Sequence, residues 1–229
     1  MLLRFDLHTH SFFSADACNS PEELIAAAQA RGLSGIAITD HDSTEAHEYM
    51  RSRPLPPNFL LVPGVEVGTA EGHLLCIGAT LPRMKGRPAS EVCGEIHRAG
   101  GIAIPAHPFD VWRAGIRPPV LDSLPIDALE VFNAASSRRC NARALDYARS
   151  RGLPMTAASD AHHDSAVGVS ATAFEMDEFS VPALLAAIRK GGTPEGNYLT
   201  FREAVKKNFA NWFRIFKSRP RPVFSSPAA

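Results

Sequence analysis

Six of the nine histidines in this 229-residue chain stand at or just beyond the ends of short apolar runs, beside carboxylates or small turn residues. That placement constrains the fold more than any other feature. The runs are Leu3–Leu7, Gly35–Thr39, Phe59–Val67, His73–Ala79, Ile102–Ala106, Ala128–Phe132 and Pro154–Ser159. Their shortness predicts strands rather than helices. Between them lie alanine-rich helical stretches. The first is capped by Ser20, has Pro21 at its opening position and acidic residues in its first turn, and runs to Gly32. Ser90–Ala99 and Arg139–Arg151 follow the same plan, each ending near a glycine. Alternation of this kind predicts an α/β fold built on parallel strands, either an open doubly wound sheet or a closed barrel.

In Asp6-Leu7-His8-Thr9-His10, strand alternation sends His8 and His10 to one side, where two imidazoles can meet one cation. The second apolar run ends in Thr39-Asp40-His41-Asp42, the third contains Glu66 and precedes His73, the fifth ends in His107-Pro108, and the last ends in Ser159-Asp160-Ala161-His162. One histidine alone is more simply a core or capping imidazole. Six of them with Glu66, Asp160 and Asp16 form a different case, because buried carboxylates and imidazoles in that number call for compensating positive charge. Imidazole and carboxylate donors without thiolate suit Zn, Mn or Fe, and more than four ligands imply more than one ion. His47, His97 and His163 read as structural.

Charge is divided unevenly. Lys plus Arg and Asp plus Glu number 24 each, but 202–229 holds seven basic residues against Glu203, leaving 1–201 with 17 basic and 23 acidic. The body is therefore at −6 and the last segment at +6. Phe209, Trp212, Phe213 and Phe216 share one helical face in that segment, which reads as a basic amphipathic helix followed by a Pro-rich tail. It is expected to dock on the acidic body, with nucleic acid, a membrane surface or another subunit as alternative contacts. No apolar run approaches a membrane span, Met1–Leu7 carries Arg4 and Asp6, and the four cysteines form no CxxC pair, so a cytoplasmic protein is expected. Nothing in the chain speaks to oligomeric state.

The ordered series His8-Thr9-His10, Thr39-Asp40-His41-Asp42, Gly64-Val65-Glu66, His107-Pro108 and Ser159-Asp160-Ala161-His162 resembles the PHP (polymerase and histidinol phosphatase) superfamily over about residues 3–191. The resemblance implies a distorted seven-stranded TIM-like β/α barrel with a trinuclear metal centre at the C-terminal ends of its strands. Two to three divalent ions would be held there. His8, His10, Glu66 and Asp160 would hold the first, Glu66 would bridge to a second held by His73 and His107, and Asp16, His41 and His162 would hold the third. The activity implied is hydrolysis of a phosphomonoester or phosphodiester, in a small phosphorylated metabolite, a nucleotide or a nucleic-acid end, by a metal-activated water.

On this reading Glu66 and Asp160 carry the catalytic metals, and Asp42 or a water would protonate the leaving oxygen. Arg138, Arg139 and Asn133, at and beyond the end of the sixth run, are the candidate substrate-binding residues. No GxSxG elbow or P-loop is present. The competing readings are an amidohydrolase-type C–N hydrolase on the same metals and a catalytically silent PHP regulatory module.

Overall fold

The computed structural model describes residues 1–199, so the basic segment 202–229 lies outside the described residues. The strands are β1 (Leu2–Thr9), β2 (Gly35–Ile38), β3 (Leu60–Val62), β4 (Gly64–Gly68), β5 (His73–Ile77), β6 (Ile102–Pro105), β7 (Leu129–Asn133), β8 (Met155–Ala158), β9 (Ser170–Glu175) and β10 (Thr193–Gly196). The helices are α1 (Pro21–Ala30), α2 (Glu45–Met50), α3 (Ala89–Arg98), α4 (Val120–Ser123), α5 (Arg138–Arg151) and α6 (Val181–Lys190). α1 starts as expected: the Ser20 hydroxyl accepts from the Glu23 N–H while the Glu23 carboxylate accepts from the Ser20 N–H.

The fold is mixed α/β, and its ladders form three sheets, ordered β10-β9-β1-β2-β3, β4-β5-β6 and β7-β8. No continuous ladder closes into a barrel among the described residues. Single contacts join the sheets instead. Thr9 bridges Ala161, His41 bridges Glu66, and the Asp127 N–H donates to the Ala103 carbonyl. These contacts bring the C-terminal ends of β1, β2, β4, β6 and β8 to one rim.

Two expectations are corrected. The run Phe59–Val67 is not one strand: Pro63 lacks an N–H for a ladder, the chain bends there, and β3 and β4 belong to different sheets. Nor are all strands parallel, since β4, β5 and β6 pair antiparallel and β9 runs against both β1 and β10. The connection from Gly68 to His73 is too short for a parallel crossover, which forces a hairpin. Because β5 is reversed, His73 at its start shares the rim with the ends of its neighbours.

Alternation divides each strand between core and site. On β4, Val65 and Val67 pack with Leu74 and Cys76, while Glu66 faces the other way. On β1, Phe5 and Leu7 join Ile77, Ile104, Phe174 and Leu184 in a second core, and His8 projects oppositely. No helix among the described residues is long and apolar enough to cross a membrane.

Burial pushes the thiols of Cys76 and Cys93 up to about 12, whereas Cys18 and Cys140 are half-buried. Since the thiolate is the nucleophile, native protein treated with iodoacetamide at about pH 8 is expected to be alkylated at Cys18 and Cys140 first and to spare Cys76 and Cys93 until it unfolds. Peptide mapping by mass spectrometry checks this.

Candidate metal centre

Six imidazoles and three carboxylates gather at the rim. His8 is the penultimate residue of β1 and His10 follows the strand. His41 lies just beyond β2, its N–H donating to the Ser14 hydroxyl at 2.9 Å. His107 follows β6, and Asp160 and His162 follow β8, with Asp16 arriving from the loop after β1. His107 and Asp160 have positive φ, +32° and +53°, a conformation that costs non-glycine residues about 1–3 kcal/mol and that clusters at functional sites. The His107 N–H is held by Glu130 Oε2 at 2.6 Å.

Glu66 is fully buried at the centre. Its Oε2 lies 3.2 Å from His8 Nε2, 3.3 Å from His10 Nε2 and 3.0 Å from His41 Nδ1, and its Oε1 lies 2.8 Å from His73 Nδ1 and 3.1 Å from His107 Nε2. Asp160 Oδ1 stands 3.3 Å from His10 Nε2 and 3.5 Å from His162 Nδ1, and its Oδ2 accepts from Arg113 at 2.7 Å. Asp16 Oδ2 is 2.9 Å from His162 Nε2 and 3.5 Å from His41 Nε2. Asp16, His41, His73, His107, Asp160 and His162 line a cavity of about 440 Å³, together with Trp112, Arg113 and Ala114.

The charges are tightly coupled. Burial works against ionisation of Glu66 and Asp160, but His8 and its neighbours hold both carboxyls well below the usual range. Burial would also neutralise His8 and His41. Glu66 and the other carboxylates nevertheless raise His8 well above its ordinary value and His41 to about 10. His10 goes the other way, lowered well below normal by burial and by His162.

The residues fit metal ions. Four groups bring ligand atoms mutually within 4.8 Å: His8, His10 and Asp160; His8, Glu66 and His107; His41, Glu66 and His73; and His10, His41 and His162. Unspent donors remain beside them. His10 Nε2 is buried without the alignment of a hydrogen bond, and Asp16 Oδ1 and His107 Nδ1 are buried without a partner. Buried polar atoms left so are costly unless another ligand satisfies them.

Residues 6–103 match the PHP domain and residues 138–193 match the PHP-associated segment. The chain carries a PHP domain followed by a PHP-associated segment. It is 27% identical over 142 residues to an uncharacterized protein of Methanocaldococcus jannaschii, covering 58% of this chain and 82% of that one. A two-domain protein of Bacteroides vulgatus, described as containing a predicted PHP-like metal-dependent phosphoesterase, superposes with TM-score 0.68 at 18% identity, over 92% of this chain and 70% of that one. Endonuclease Q in complex with a 27-mer duplex carrying an abasic lesion superposes with TM-score 0.66 at 19% identity, over 91% and 67%. The PHP-domain match supports a metal-dependent hydrolase, and the solved structures show the same fold.

In this PHP domain the other expected residues lie away from the cavity lining. The Asp42 carboxylate accepts from the Gly68 N–H at 3.0 Å and lies 3.2 Å from Lys85 Nζ. Arg138 and Arg139 are exposed at the start of α5, with the Arg138 guanidinium over the Tyr198 ring. Asn133 is fully buried, its amide donating to Glu130 Oε2 at 3.0 Å and lying 3.4 Å from Asp160 Oδ2. Glu130 in turn is 3.0 Å from His8 Nδ1, which leaves His8 Nε2 turned to the centre. Arg113 was missed by sequence reasoning. It sits six residues beyond His107 in a loop without periodicity, so only a distrust of long loops after a site residue would have singled it out.

Two outcomes follow for metal binding. Glu130→Gln is expected to weaken Mn²⁺ affinity about 10- to 100-fold by loosening His8, read by calorimetric titration. The carboxylates around them draw His8 and His41 toward the protonated state in the metal-free protein. Uptake is therefore expected to release protons, and affinity to fall as pH is lowered, as shown by titrations in buffers of different ionisation enthalpy.

Proposed function

We propose that this PHP domain is a metal-dependent phosphoesterase using two to three divalent ions, Mn, Zn or Fe. The observation that carries the reading is the pair of buried carboxylates, Glu66 and Asp160, shared among six imidazoles. Its ligand assignment is His8, His10, Glu66 and Asp160; Glu66, His73 and His107; and Asp16, His41 and His162. Bound divalent ions supply Lewis acidity toward phosphoryl oxygens and make a water acidic enough to attack at neutral pH.

The chain's own residues do the positioning. Glu130 fixes the His8 ring through Nδ1, and Asn133 holds Glu130 and reaches Asp160, so both orient ligands from behind. Arg113 is the phosphate partner. Its guanidinium lines the cavity beside Asp160, and planar paired donors match phosphoryl oxygens. Asp42, held by Gly68 and Lys85, has the weaker claim as proton donor, and Arg138 and Arg139 reach only substrate extending over the rim.

Phosphomonoesters, phosphodiesters and 5′-phosphorylated oligonucleotides, offered with Mn²⁺ to wild type and to Asp160→Asn, test the proposal. Turnover is expected to vanish with chelator and to fall at least about 100-fold in the variant, with unchanged circular dichroism. A fully metallated protein that releases no phosphate and cleaves no diester would sink the phosphoesterase reading in favour of C–N hydrolysis or a silent module. Arg113→Ala is expected to cost about 10- to 100-fold in kcat/KM, partly restored by Lys.

A further inference from the structure

The connection leaving β6 carries a turn that the metal ligands do not need. Val111, Trp112 and Arg113 form one 3-10 turn, capped by Asp110, whose carboxylate accepts from the Trp112 N–H at 3.2 Å and from the Ser136 hydroxyl at 3.0 Å. The turn ends at Ala114, left-handed at φ +54°, whose carbonyl accepts from the His73 N–H at 2.8 Å. At Gly115 an added Cβ would stand 2.2 Å from the His107 carbonyl, so the chain presses there against the backbone of another rim histidine. The C-terminal end of the turn is thus tied to two histidines of the metal centre, and its cap to Ser136.

What this anchored turn presents is uneven. Arg113 points inward and reaches Asp160, while Trp112 also lines the cavity yet is 95% exposed. Val111 beside it is 56% exposed. The indole has no ring or cation stacked on it among the described residues. A single exposed tryptophan is ordinary on a protein surface. One whose backbone is anchored at the mouth of the cavity, next to the arginine inside it, is placed to meet whatever extends outward from a phosphoryl group bound within. A planar ring is the partner that a rigid indole face suits best.

We infer that the Val111–Arg113 turn selects phosphoesters carrying a nucleobase, with Trp112 as the stacking plate for the base and Arg113 holding the phosphoryl end. The inference rests on the phosphoesterase reading and adds a substrate class to it. The base can belong to a free nucleotide or to the end of a nucleic-acid strand. Base stacking on an aromatic side chain is sequence-tolerant, so little discrimination among the four bases is expected.

The test uses the full chain with Mn²⁺ and three substrates: a nucleoside 5′-monophosphate, a 5′-phosphorylated oligonucleotide and glycerol phosphate. In Trp112→Ala the ratio of kcat/KM for the base-bearing esters to that for glycerol phosphate is expected to fall about tenfold or more, mainly through KM, and Trp112→Phe is expected to restore most of it. Loss with both base-bearing esters assigns the plate to the base on the reacting phosphate, and loss with the oligonucleotide alone assigns it to a neighbouring base of a strand. An unchanged ratio in Trp112→Ala overturns the inference.

A binding readout separates this from failure of the phosphoesterase reading. In a Trp212→Phe background the remaining indole is Trp112, and its fluorescence is expected to be solvent-like and to be quenched saturably by the nucleotide at far lower concentration than by glycerol phosphate. That result supports the plate even if no ester turns over. Blue-shifted emission, or equal indifference to both ligands, rules it out.

Discussion

The centre depends on Glu66, a carboxylate with no solvent exposure that faces five imidazoles. A charge so buried is tolerable only among partners that share it, and removing those partners would cost several kcal/mol. The imidazoles cannot all respond alike. His8 and His41 are drawn toward the protonated state while His10 is pushed toward the neutral one. Protons thus balance the carboxylates where cations would do so with better geometry, and this links metal binding to pH.

The surrounding fold keeps this cluster in place by spending other buried carboxylates on loops. Asp6 accepts from the Ser159 hydroxyl and N–H and from the Gly168 N–H, tying the segment after β8 that bears Asp160 to β1, and burial still raises its pKa to about 6. Asp40 does the same for the loop after β1, accepting from the N–H and hydroxyl of Ser11. Glu130 and Asn133 brace the opposite side. Acidic residues near the metal motifs thus divide into those that face the cavity and those that hold the backbone behind it.

That division was only partly legible in the sequence. Asp40 and Asp42 flank His41 in one cluster, and neighbouring residues on an extended chain point to opposite faces, but which face looks into a cavity depends on strands far away. Asn133, a substrate-binding candidate by its place just beyond an apolar run, has its amide occupied by Glu130 and Asp160. Arg113 left no trace in periodicity because its loop has none. Trp112 was equally silent, since exposure is a property of what fails to cover a residue.

What the sequence determined by itself was the chemistry and its order along the chain. Histidines and carboxylates at the ends of short apolar runs marked the side chains that the fold gathers at one rim, because strand alternation and the cost of burying unpaired charge are local rules. Tertiary structure decided the directions and the pairings. The bend at Pro63 split one apolar run between two sheets, and the tight Gly68 to His73 connection reversed β5, so that a histidine at the beginning of a strand joined others at strand ends. Parallel or antiparallel pairing and the closeness of loops are settled by hydrogen bonds and packing between segments remote in sequence, which no window along the chain contains.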